Sequence, residues 1–128
     1  MRFEFLLEPL IVPILFPFGA TQERCFVELE DHKLHVKMGA LFDETLDLEE
    51  VATIEKGKWP FYWGLGHRIG MHHSMGVLAS TRNVVKLSFA KPAMIKALGP
   101  LYHETKDFFL ALKDPDGFIR EVQQQLKA

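Results

Sequence analysis

Apolar and polar positions alternate with a period of two along much of this chain, which predicts strands with one buried face and one wet face. Cys25, Val27 and Leu29 interleave with Phe26, Glu28 and Glu30. Asp31-His32 follows as a turn, and Leu34, Val36 and Met38 then alternate with Lys33, His35 and Lys37 as far as Gly39. That pattern predicts an antiparallel hairpin. A third strand over 41–46 carries Phe42 and Leu46 inward, and a fourth over 48–56 has Val51 and Ile54 as its buried anchors. Further on, Val85, Leu87 and Phe89 alternate with Val84, Lys86 and Ser88, and Phe108, Leu110 and Leu112 make the last strand.

The period changes only near the end of the chain. Asp114 is placed as an N-cap, Pro115 at the first helical position, and Asp116 where the helix dipole favours a carboxylate. Phe118, Ile119, Val122 and Leu126 then form one apolar stripe with Arg120, Gln123 and Gln124 outside it, predicting a C-terminal amphipathic helix. Residues 91–105 read as a long connection. Met94, Ile95 and Leu98 fall at helical spacing there, and one or two helical turns fit between Pro92 and Gly99. Residues 66–70 suit a short strand, 71–75 a loop, 76–80 an extended segment, and Thr81-Arg82-Asn83 a turn.

Residues 1–22 form a different kind of segment, apolar and rich in proline. Pro9, Pro13 and Pro17 break any long helix, and Glu8 interrupts the apolar run. The segment is too short and too kinked to cross a bilayer, and Phe18 stands where a signal-peptide cleavage site needs a small residue. It is expected to lie extended across the domain. Leu6, Leu7, Leu10, Ile11, Ile14, Leu15 and Phe16 exceed what a thin barrel can bury, so the segment either covers a groove as an edge strand or pairs with another copy.

Composition narrows the functional classes. The chain has 128 residues, 48% of them hydrophobic, which fits one globular domain spanning 1–128. A net charge of −2, with scattered basic residues, argues against nucleic acid as a partner. A single cysteine, Cys25, excludes an internal disulfide and points to a reducing, cytoplasmic setting.

Six to eight short antiparallel strands closed by one helix make a mainly β fold of bent sheets or a barrel. Several segments resemble small, mostly uncharacterised bacterial proteins with a pleckstrin-homology-like (PH-like) domain. They are residues 26–36, the acidic run 39–51, the Gly-Leu-Gly-His-Arg stretch at 64–68, residues 84–92, and the closing Leu-x-Asp-Pro-Asp-Gly-Phe at 112–118. The likeness spans about 24–127, and its motifs are structural punctuation rather than chemistry. It implies a PH-like barrel plugged by its helix, and a binding or scaffolding module rather than an enzyme.

The stretch 59–76 is where a site is expected, because it concentrates Trp59, Phe61, Tyr62 and Trp63 beside glycines and three histidines. These aromatics either pack beneath the sheet or form an exposed anchor patch, with Arg68 and Lys58 supplying charge. The candidate ligand- or partner-binding residues are Trp59, Phe61, Tyr62, Trp63, His67, Arg68 and His72. Gly64, Gly66 and Gly70 give Gly-x-Gly-x-x-x-Gly, one residue too long for a dinucleotide fingerprint, so no cofactor is expected.

His67, His72 and His73, with His103 or His35, are the residues a zinc site would draw on, but no His-x-His or Glu-x-x-His spacing supports one. Cys25 lies on a strand face with Val27 and Leu29, where a free thiol packs as a small hydrophobe; no catalytic residue is assigned. The sequence thus predicts a non-enzymatic interaction module that self-associates or binds a protein partner. A carrier of a small hydrophobic ligand is the alternative, and a histidine-based metal protein is the third reading.

Overall fold

The hairpin at residues 25–38 sets the frame of the fold. In a computed structural model of the chain, which describes residues 1–19, 21–40, 42–60, 66–69, 73–98 and 101–127, β2 (Cys25–Glu30) and β3 (Lys33–Met38) pair antiparallel with Glu30 opposite Lys33. Asp31 and His32 both take positive φ, 51° and 59°, as a two-residue hairpin turn that matches the strand twist requires. β4 (Phe42–Asp47) adds to β3, and a short β1 (Arg2–Glu4) adds to β2, giving one sheet in the order β1-β2-β3-β4.

The second sheet has the order β5-β8-β9-β7-β6, with β5 at Val51–Lys56, β6 at Gly66–Ile69, β7 at Ser74–Leu78, β8 at Val84–Leu98 and β9 at Leu101–Ala111. Its pairings are antiparallel except β7 with β9, which run parallel. Val51 and Ile54 are both buried although three residues apart, because the β5–β8 register slips between Val51 and Thr53. The two sheets face each other across one apolar core, and among the described residues β4 and β5 do not pair. The expected barrel is therefore two separate sheets rather than a closed one.

Residues 91–105 depart most from expectation. Residues 91–98 and 101–105 form no helical connection; they extend β8 and β9 as a long antiparallel pair in which Ile95 faces His103 and Lys96 faces Tyr102. The period there is two, with Ile95 buried and Met94 exposed. Pro92 lies inside the register shift between Ser88 and Ala93, where the ladder lacks regular hydrogen bonds and a missing N–H costs little. Residues 74–75, expected in a loop, already belong to β7.

The C-terminal helix forms as its caps predict. α2 (Pro115–Lys127) starts with the Gly117 N–H donating to Asp114 Oδ1 at 3.0 Å. Phe118 and Val122 are fully buried in the core, with Ile119 and Leu126 packed at its margin. Phe118 meets Phe3 edge-on, ring centroids 5.1 Å apart, so the helix also pins the first strand.

The second sheet is covered on its outer side as well. Trp59, Leu78, Val84, Phe109 and Ala111 form a separate buried cluster there, Trp59 lying 5.3 Å from Phe109 between ring centroids. Burial on both faces explains why 108–112 reads as an unbroken apolar run instead of alternating. Gly76 makes room for the indole, since a Cβ there would come within 2.9 Å of the Trp59 ring.

Candidate partner-binding surface

The N-terminal segment is the most unusual surface described. Its first part is extended, as expected, but it stitches the two sheets together. Past β1, the Leu6 N–H donates to the Ala111 carbonyl at 2.9 Å, and the Lys113 N–H to the Glu4 carbonyl at 3.0 Å. Leu7 then bridges Ala79 in parallel, and the Glu8 N–H donates to the Ala79 carbonyl at 3.2 Å. Phe3 and Phe5 are buried along this path.

Glu8 is the clamp at its end. Its Oε1 accepts from Ser80 Oγ at 2.6 Å and from Arg82 Nε at 2.8 Å, while the Arg82 N–H donates to Ser80 Oγ at 3.0 Å. Hydrogen bonds from Arg82 and then Ser80 hold the Glu8 carboxyl below the usual carboxylate range. A depressed carboxylate stabilises the fold above its ordinary range and loses that contribution as pH falls through the folded value. Acidification should therefore release the clamp. Hydrogen exchange should show the Glu8 amide losing protection at a higher pH than the Leu29 amide, and Glu8→Gln should abolish that difference.

Beyond Glu8 the chain leaves the sheets. α1 (Val12–Leu15) is a single turn that tolerates Pro13 within its first turn, followed by a 3₁₀ turn at Phe16–Phe18. This helical bulge corrects the expectation of a wholly extended segment. Ile11 packs on the core, whereas Leu10 and Ile14, one helical turn apart, stand 88% and 62% exposed and Phe16 stands 65% exposed. Gly19 turns the chain back with φ of 71°. Gln22 Nε2 closes the base on the Phe5 carbonyl at 3.2 Å, and Arg2 donates to the Glu23 carbonyl at 2.8 Å. The apolar tip thus stands on a base held at both ends by hydrogen bonds.

Arg24 and Lys37 flank the bulge beside Pro17 and Gly19. Arg2 lies over the Phe26 ring at 4.1 Å, and Phe26 meets His35 edge-on. Asp43 accepts from His35 at 2.5 Å and from Lys37 at 3.2 Å, and these contacts, His35 first, hold its carboxyl below the usual range.

The aromatic stretch is only partly within view. Trp59 is 3% exposed, so it belongs to the core and is not the exposed anchor its position suggests. Phe61, Tyr62, Trp63 and His72 lie outside the described residues. His67 and Arg68 fall on β6, opposite Val77 and Gly76, with their side chains outside the description. Of the histidines considered for metal, the fold brings His73 and His103 together, their ring centroids 6.4 Å apart, while His35 is engaged with Asp43 on the other sheet. No group of three metal-ligating side chains occurs among the described residues.

Cys25 is fully buried, and that burial pushes its thiol up to about 11 against a hydrogen bond at Gly39 that pulls the other way. It is held as the neutral, unreactive form. No helix among the described residues is long and apolar enough to cross a membrane. An open groove of about 400 Å³ lies between Glu49, Glu50 and residues 90–94, with carboxylates and Lys91 at its rim. Comparison with protein-family profiles, curated protein sequences and solved structures gave no match to this chain.

Sequence reasoning located the apolar excess in the N-terminal segment but not which side chains stay exposed. Spacing of four between Leu10 and Ile14 was the available signal, masked by the prolines around it.

Proposed function

We propose that this protein is a cytoplasmic, non-enzymatic interaction module with a PH-like arrangement of two sheets and a C-terminal helix, and that it pairs with a second copy through its N-terminal bulge. The observation that carries this reading is the exposure of Leu10, Ile14 and Phe16 on a base clamped by Glu8, Ser80 and Arg82. A second copy suits the tip because the tip itself is apolar. A net charge of −2 does not favour an anionic membrane or nucleic acid. Each fully buried side chain of this size contributes about 1.5–3 kcal/mol.

Sedimentation analysis of the untagged chain up to about 100 μM is expected to show a concentration-dependent dimer in the micromolar range. The double variant Leu10→Ser, Phe16→Ser should sediment as a monomer, with stability within about 0.5 kcal/mol of the parent because both side chains are exposed. A wild-type chain that stays monomeric, or a double variant that still dimerises, overturns the reading.

A further inference from the structure

We propose that the cleft between β4 and the far half of β8, Ala90–Leu98, takes up an extended peptide as an added strand, one with apolar residues at alternate positions and lysine or arginine between them. This site is separate from the N-terminal bulge and does not depend on it.

Two strand edges border the cleft without a partner. β4 pairs with β3 on one side and, among the described residues, with nothing on the other. β8 pairs with β5 only as far as Phe89, opposite Val51, so beyond that point its edge away from β9 is open too among the described residues. An unpaired edge presents a row of N–H and C=O groups that another strand can satisfy. Paired strands lie about 4.7–4.9 Å apart, so a strand between two others needs about twice that width. Few residues of β4 and β8 bring their Cα atoms within 8 Å of each other. A groove of about 290 Å³ lies between residues 45–47 of β4 and 93–95 of β8. The groove of about 400 Å³ beside Glu49 continues it, since both are lined by Glu50, Ala93 and Met94.

The side chains along the cleft set what suits it. An added strand turns every second side chain inward, here toward the buried Leu46 and Ile95, and apolar residues fit those positions. Charge selects what lies between them. Glu49 and Glu50 are exposed at one end of the cleft and make no ion pair among the described residues, whereas Lys33 is already bridged to Asp47 at 3.5 Å. Against the two free carboxylates the rim of the larger groove offers Lys91. A basic segment therefore meets more attraction than repulsion. Pro92 has no N–H to give, so pairing on β8 starts at Ala93.

The test adds a fluorescently labelled peptide of about six residues, alternating valine and lysine, to the full untagged chain and follows its anisotropy. Saturable binding with a Kd of about 100 μM or tighter is expected, weakened about tenfold or more when glutamate replaces the lysines or when proline interrupts the peptide. Glu49→Lys combined with Glu50→Lys, both at exposed positions, should reverse the preference so that the glutamate peptide binds more tightly. In the unsubstituted protein the valine–lysine peptide should slow hydrogen exchange in β4 and in Ala93–Leu98, a readout that needs no variant. Absence of saturable binding up to about 1 mM overturns the proposal. So does equal binding of the lysine and glutamate peptides, or protection confined to other strands. Protection of these edges that grows with protein concentration in the absence of peptide would give the cleft to a second copy and overturn it as well.

Discussion

Phe118→Ala should destabilise the protein by about 3–5 kcal/mol in urea denaturation, the range for deleting a buried phenyl ring. The side chain is fully buried, and its ring meets Phe3 edge-on, so truncation opens a cavity and frees the first strand together. Against a total of about 5–15 kcal/mol for a domain, that loss is a large share. The exposed Arg120 on the same helix is the control, and Arg120→Ala should change stability by no more than about 0.5 kcal/mol. A Phe118→Ala cost as small as the control's would mean the helix does not close the core.

Trp59→Ala should cost about 3–5 kcal/mol as well, for a different reason. The indole covers the outer side of the second sheet over Phe109 and sits against the bare Cα of Gly76. Gly76→Ala drives a methyl group into that ring and should cost about 1–3 kcal/mol by overpacking. The two changes are coupled. Once Trp59 is alanine, the added methyl meets open space and Gly76→Ala should cost almost nothing, a departure from additivity that a double-mutant cycle reads directly. Additive costs would show that the indole does not rest on Gly76.

The parts of the fold legible in the sequence were those governed by local rules. Asp31-His32 announces its hairpin because the strands on either side keep a clean period of two, and Asp114-Pro115 announces its helix because both residues favour that terminus. What escaped were features decided by distant partners. Ile95 and Leu98 carry helical spacing, yet β9 recruits their segment as a strand and absorbs Pro92 in a register shift. Trp59 looked as fit for a surface anchor as for a core, and only the approach of Gly76 and Phe109 from other strands decides it. The pairing of His73 with His103 depends on parallel alignment of β7 with β9, which local periodicity does not encode.

The seam between the first and last elements has a consequence for how the chain comes off the ribosome. Glu4 pairs with Lys113, and Phe3 packs on Phe118, so these early residues have partners made much later. At about 5–20 residues per second, Phe3 and Phe5 wait on the order of ten seconds before Phe118 and Leu112 exist to cover them. Until then the nascent chain can hold its hairpins but not its core. Release of the chain before α2 is made would leave both phenylalanines uncovered, and such a fragment should aggregate more readily than the whole.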